Sequence, residues 1–231
     1  AVNTYKGTAT SDLSCPSGTC MQSVTTFDGY GRPATQKQPQ QSAPTTYAYD
    51  ADDTVHTVTD PRGVVATNAY NGRHLLTGVS YTAPAGISTP SPVSFGYDAV
   101  GNRTAMSDGT GSISYGYNQL SRLTSEMRTF SGLSNSYTIT YSYNLGGELS
   151  SVIDPSGAQV SYNYDSTGRL TSMPASGYTG VTNFLTNVQY RAFGGMKHAT
   201  YGNSVQVDLN YNSRMQIGQY QASGLHQTNG S

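Results

Sequence analysis

Apolar and polar residues alternate along this chain in short runs that end at turn residues, and no stretch places apolar positions at the three-to-four spacing of a helix face. One pattern carries the alternation: aromatic-x-aromatic-Asp/Asn-x-x-Gly-Arg-Leu, clearest as Tyr162-Asn163-Tyr164-Asp165-Ser166-Thr167-Gly168-Arg169-Leu170, with further copies beginning at Tyr47, Phe95, Tyr115 and Tyr141. Two rings one residue apart share a face of a strand. Asp or Asn then bonds the backbone ahead of it, and Gly supplies the positive φ that turns the chain into the Arg-Leu strand. Each copy therefore predicts a β-hairpin tip.

With the second ring as anchor, the copies are Phe27, Tyr49, Tyr70, Tyr97, Tyr117, Tyr143, Tyr164, Tyr190 and Tyr211, and eight of these nine are followed directly by Asp or Asn. After the first interval the spacings alternate short and long, and anchors two apart stand 46 to 48 residues from each other, so the repeating unit is a pair of hairpins. A second turn signal lies inside the short intervals: Asp60-Pro61-Arg62-Gly63, Asp108-Gly109-Thr110-Gly111 and Asp154-Pro155-Ser156-Gly157. The long intervals place their extra residues in Pro84 to Pro92, Thr129 to Ser136 and Pro174 to Gly180, which read as surface loops. The copies at Tyr70, Tyr190 and Tyr211 are degraded, with Gly72-Arg73 shifted, Arg191 in the acidic position and Met215 in the glycine position, and read as edges or loop-bearing strands.

The prediction is an all-β chain of tandem antiparallel hairpins over residues 24–220, in up to about eighteen short strands, between an N-terminal segment 1–23 and a tail 221–231. A sheet that wide accumulates twist and curls into a spiralling, shell-like or barrel-like segment. Its packing is expected from ladders of rings such as Tyr49, Tyr97, Tyr143 and Tyr164. Composition agrees: Leu, Ile, Val and Phe supply only 37 of 231 residues, whereas there are 19 Tyr and 26 Gly, so tyrosine carries much of the apolar surface.

Charge and cysteine content narrow the function. A net charge of −1 with 12 Lys and Arg lacks the footprint of a nucleic-acid or anionic-membrane binder, and no run of 18 apolar residues predicts a membrane span. Cys15 and Cys20 enclose Pro16-Ser17-Gly18-Thr19, a turn that brings two sulfurs into range of a disulfide and points to an oxidising compartment; two free thiols are the alternative. Two cysteines cannot complete a structural zinc site, and neither a metal nor a cofactor is expected.

The acids and bases are nearly all accounted for by turns. The glutamates are Glu126 and Glu148, and of the eleven aspartates seven occupy repeating turn positions, leaving Asp12, Asp52, Asp53 and Asp208. His56 follows Asp52 and Asp53 and has the spacing of a base oriented by a carboxylate, but a surface-strand histidine is the reading to prefer; His74, His198 and His226 have no acidic neighbour at ligand spacing. No catalytic residue is assigned and the chain is expected not to be an enzyme. Arg32, Arg103, Arg122 and Arg169 form either an anion-binding row or partners for turn carboxylates, carbonyls and tyrosine rings, and the second reading is preferred. The residues expected to carry the repeat are Tyr47, Tyr49, Asp50, Tyr97, Asp98, Gly101, Tyr115, Tyr117, Tyr141, Tyr143, Gly147, Tyr162, Tyr164, Asp165, Gly168 and Arg169, with the turns Asp60, Pro61, Gly63, Asp154, Pro155 and Gly157.

The pairs Tyr49-Asp50, Tyr97-Asp98 and Tyr164-Asp165, set in this rhythm over about residues 24 to 220, resemble the Rhs or YD-repeat family of bacteria. The resemblance implies a ribbon of hairpins that spirals into a hollow shell in secreted or surface proteins, often polymorphic toxins, where the shell can enclose a C-terminal toxic segment. Related repeats occur in insecticidal toxin complexes and in animal cell-adhesion proteins. The family's self-cleaving end, built on two closely spaced Asp-Pro-x-Gly motifs, is not matched, since the two here start at Asp60 and Asp154 with repeats continuing past both. The expected role is a non-catalytic wall of a secreted or cell-surface protein, its partner an enclosed toxin segment or another copy paired edge to edge. The alternatives are a self-assembling fibre or adhesin subunit, or a carbohydrate-binding module that stacks tyrosines on glycans.

Overall fold

The computed structural model of the chain describes residues 2–3 and 23–224, and all regular structure among them is β-strand. The Cys15 and Cys20 pair lies outside the described residues. The described residues divide into two compact units, the first made of those up to 113 with 129–133 and the second of 114–128 with those from 134 on. In the first, β1 (Val2–Asn3) lies parallel to β2 (Val24–Phe27). An antiparallel meander then runs in chain order through β3 (Pro33–Lys37), β4 (Thr45–Tyr49), β5 (Val55–Thr59), β6 (Val65–Tyr70), β7 (Leu76–Thr82), β8 (Val93–Tyr97) and β9 (Arg103–Asp108). Strands β10 (Gly111–Tyr117) and β11 (Leu123–Phe130) contribute residues to both units. The second unit continues with β12 (Ser136–Tyr143), β13 (Leu149–Ile153), β14 (Gln159–Ser161), β15 (Asn163–Tyr164), β16 (Leu170–Ser176), β17 (Asn183–Tyr190), β18 (Met196–Tyr201), β19 (Gln206–Tyr211) and β20 (Ile217–Ser223). Its pairs are again antiparallel neighbours, with β14 and β15 both on β16. The all-β hairpin ribbon is therefore the fold. Among the described residues the strands number twenty rather than about eighteen, because β1 adds a parallel strand and the ascending strand breaks at Tyr162 into β14 and β15.

Register explains why the anchors recur. At Phe27, Tyr49, Tyr70, Tyr97, Tyr143, Tyr164, Tyr190 and Tyr211 the pairing slips by a bulge immediately before the anchor, which then faces the residue six positions on, as Tyr164 faces Leu170. A bulge adds local twist, so each motif bends its hairpin in the same sense. Alternation follows the pleat, as in β9, where exposed and half-buried residues alternate. The core is thin: among the described residues the buried apolar ones are Val64, Ala158, Val188, Ala199, Val207 and Leu209.

Two of the three predicted loops are shorter than the sequence suggested. Thr129 and Phe130 extend β11, and Ser136 opens β12. Pro174 stands inside β16 at the slip in register between Met173 and Pro174, because a bulge tolerates the missing N–H that a regular ladder position would not. Pro84 to Pro92 does form the connection between β7 and β8.

Candidate functional site

All nine motif copies close the same turn. In the Asp165 copy, Asp165 N donates to Arg169 O at 2.9 Å, Gly168 N donates to Asp165 O at 3.0 Å, and Gly168 takes φ +78°. The copies without glycine at that position keep both backbone bonds by placing Asp53, His74, Ser121 and Met215 in the left-handed region, at φ +68°, +58°, +56° and +62°. The Asx oxygen adds to most copies: Asp165 Oδ1 accepts from Thr167 N at 2.8 Å and Arg169 N at 3.0 Å, and Asn212 Oδ1 from Arg214 N at 2.9 Å and Gln216 N at 3.1 Å. Arg191 has no such oxygen, yet its turn retains the backbone bonds at 2.8 and 2.9 Å. The degraded copies thus close full turns. Asp50 and Asp98 occupy the same first position, and Gly101 and Gly147 the same left-handed one.

The anchors do more than ladder. In the first unit the hydroxyl of Tyr49 donates to Pro33 O at 2.7 Å, Tyr70 to Val55 O at 3.0 Å and Tyr97 to Leu76 O at 2.8 Å. In the second, Tyr143 donates to Leu123 O, Tyr164 to Leu149 O and Tyr190 to Leu170 O, each at 2.8 Å, and Tyr211 to Met196 O at 2.9 Å. Every acceptor is the residue six beyond the preceding anchor, so each tyrosine latches its hairpin onto the start of the preceding return strand. The sequence showed the rings but not this bond, since its acceptor is a backbone atom.

The arginines serve the same junctions. Arg32 lies 4.3 Å from the Tyr49 ring centroid, Arg122 4.8 Å from Tyr143 and Arg169 4.9 Å from Tyr190, each over the anchor of the following motif. Arg169 also bonds Asp165, and Arg73 donates to the carbonyls of Asp98 and Ala99 at 2.7 Å. Of the first rings, Tyr47 lies on β4 with its hydroxyl 3.4 Å from Gln36, Tyr115 and Tyr117 lie on β10, Tyr141 lies on β12, and Tyr162 lies between β14 and β15. Burial, and then the charge of Glu126, pushes the Tyr141 hydroxyl above the usual range.

The second set of tips sits eleven residues after alternate anchors. Asp60 Oδ1 accepts from Arg62 N and Val64 N, and Asp154 Oδ1 from Ser156 N and Ala158 N, with Gly63 and Gly157 at φ +84° and +86° after Pro61 and Pro155. A fourth member, Tyr201-Gly202-Asn203-Ser204, has the same backbone bonds with Ser204 at φ +66°. It carries neither Asp nor Pro, so turn chemistry did not reveal it, although it falls one pair period after Asp154. These turns bind their carboxylates tightly. Asp165 is held well below the carboxylate range by the Thr167 hydroxyl first and by Arg169, Asp60 by Arg62, and Asp154 by the Ser156 hydroxyl.

The histidines pair across strands and turns. His56 Nδ1 lies 3.1 Å from Asp50 rather than beside Asp52 or Asp53, and His74 Nδ1 lies 2.8 Å from Asp52. His198 Nδ1 is 2.8 Å from Asp208, a neighbour that only the pairing of β18 with β19 brings close. Among the described residues no three His, Cys, Asp or Glu side chains are grouped to hold a metal ion. A cleft of 640 Å³ in the second unit is lined by Val181, Asn183, Phe184, Tyr201, Asn203 and Val205 among others.

The comparisons agree with this architecture. The Teneurin YD-shell family model matches residues 45–220. No curated protein sequence matches the chain. In fold the chain is similar to the crystal structure of TcdB2-TccC3-Cdc42, at 15% identity and TM-score 0.71 over 84% of this chain and 11% of that one. It is also similar to TcdB2-TccC3 without its hypervariable C-terminal region, at 15% identity and TM-score 0.74 over 87% of this chain and 11% of that one. A third likeness is to the Photorhabdus luminescens Tc holotoxin pore, at 16% identity and TM-score 0.69 over 84% of this chain and 10% of that one. The chain spans about a tenth of the length of these proteins.

Proposed function

This chain belongs to the Teneurin YD-shell family, and from that premise we propose that it is a non-catalytic wall segment of a secreted, extracellular protein whose shell encloses a polypeptide such as a toxin segment. The observation that supports this reading is the latch: the anchor tyrosines, with arginines and turn aspartates beside them, are committed to holding hairpin on hairpin. A ribbon joined by one repeated bond gains stability motif by motif and makes a wall of arbitrary length from local contacts. Light scattering followed by electron microscopy of the purified chain tests the reading. A wall segment gives monomers; long regular filaments would overturn it in favour of a fibre subunit.

Carbohydrate binding is a second reading, and the cleft of the second unit offers it a place to act. Phe184 and Tyr201 are 38% and 44% exposed, stand outside the anchor positions, and share the cleft with the uncharged amides of Asn183 and Asn203. Such a lining suits a neutral sugar ring. Titration with neutral oligosaccharides should then show binding that Tyr201→Ala removes, and absence of binding at millimolar sugar would retire this reading.

A further inference from the structure

We propose that the cleft of the second unit takes an acetamido sugar, reading the N–H and C=O of the acetamido group with the side-chain amides of Asn183 and Asn203. The inference rests on the carbohydrate reading of that cleft and names the class of sugar it selects. At 640 Å³ the cleft falls within the roughly 300–1,000 Å³ of small-molecule sites, and no charged side chain lines it.

The cleft is held in shape by the fold itself. Gly202 N donates to Phe184 O at 3.0 Å, which fixes the tip that opens at Tyr201 onto β17. The Phe184 ring stands edge-on to Tyr178, with centroids 5.4 Å apart and planes at 77°, and the Tyr178 hydroxyl is in turn bonded to the Asp154 side chain. Phe184 and Tyr201 supply rings for a sugar face, and Val181 and Val205 add aliphatic lining.

Each of the two amides has half of its hydrogen-bonding capacity committed to the protein. Asn203 Oδ1 accepts from Val205 N at 3.2 Å, so its amino group is the half left to donate. Asn183 Nδ2 donates to Thr182 Oγ1 at 3.1 Å, so its Oδ1 is the half left to accept. One donor and one acceptor beside valine side chains are the complement of an acetamido group, whose carbonyl accepts, whose N–H donates and whose methyl is apolar. A plain hexose carries a hydroxyl in place of that group, and so leaves one amide unpaired and puts a polar atom against the valines, both of which weaken binding.

The test is calorimetric titration of the whole chain with N,N′-diacetylchitobiose and with cellobiose, two disaccharides of the same linkage that differ in the acetamido groups. Diacetylchitobiose should bind at least about tenfold more tightly, the worth of two net hydrogen bonds. Asn203→Asp keeps an oxygen for Val205 N and removes the donor, so its unfolding midpoint should be unaltered while its affinity for diacetylchitobiose falls about fivefold. Equal binding of the two disaccharides, or an affinity that survives Asn203→Asp, would overturn the inference and leave the sugar reading in place. N-acetylalanine N-methylamide offers the same N–H, C=O and methyl without a sugar ring, and if it bound as tightly as diacetylchitobiose the cleft would be a peptide site and the inference would fall. Binding of neither disaccharide at millimolar concentration would retire the sugar reading and the inference with it.

Discussion

Residues 143–170 and 190–217 are consecutive hairpin pairs, offset by 47 throughout, and they reach one backbone from different side chains. Asp154 and Tyr201 open tips with matching bonds, at 2.9 and 2.9 Å in the first and 2.8 and 2.9 Å in the second, and Gly168 and Met215 share the left-handed position. The latch persists at 2.8 Å from Tyr164 and 2.9 Å from Tyr211. What differs is the environment of one tip. Gly202, which replaces Pro155, donates its N–H to Phe184 O at 3.0 Å, a bond proline cannot make, and a Cβ there would overlap the Asn183 carbonyl. Position in the rhythm therefore sets the turn, and the neighbouring strand sets which residue is tolerated.

The largest expected effect separates those two tips. Gly202→Ala should cost about 3 kcal/mol, because a backbone oxygen cannot move aside, whereas Pro155→Ala should cost less than about 1 kcal/mol through the unfolded chain. Urea unfolding of both variants measures this, and equal losses would show that the close approach at Gly202 relaxes freely.

The latch is where the two pairs should agree. Tyr164→Phe and Tyr211→Phe each remove one hydroxyl and keep the ring, so each should cost about 1 kcal/mol by the same measurement. A loss at Tyr164 with none at Tyr211 would mean that the second pair is held by its strands and by the edge-on contact of Phe193 with Tyr211, centroids 5.0 Å apart, rather than by the bond.

At the left-handed position the signs should oppose. Met215→Gly should raise stability by about 0.5 kcal/mol and Gly168→Ala lower it by about 1 kcal/mol, since only glycine adopts positive φ without steric cost. This contrast also marks how far the sequence could be read. The strands, the pair period and the turns at Asp60, Asp154 and Asp165 follow from local chemistry, because Asp, Pro and Gly act on the few residues beside them. Met215 in a left-handed turn and Tyr201 at a tip do not, because there the pairing of the flanking strands imposes the turn against residue preference, with a bulge before Tyr211 and in plain register between β18 and β19. The latch acceptors and the pairing of His198 with Asp208 were illegible for a related reason: both depend on which strands become neighbours, which no single motif encodes.

Acid should distinguish the pairs most gently. Asp165 is held below its unfolded value by Thr167 and Arg169, whereas its counterpart Asn212 does not titrate. A depressed folded value contributes stability that is fully present above the unfolded carboxylate range of about 3.9 and is lost as pH falls below it. Asp165→Asn keeps the acceptor oxygen that Asn212 uses in the same turn, so the fold should survive at neutral pH. Between pH 7 and about pH 3 the urea midpoint of the variant should fall less than that of the parent, by a small margin because the site faces solvent. An identical fall would mean that the aspartate is as easily protonated in its turn as in the unfolded chain, and that the charge adds nothing to what asparagine already does 47 residues on.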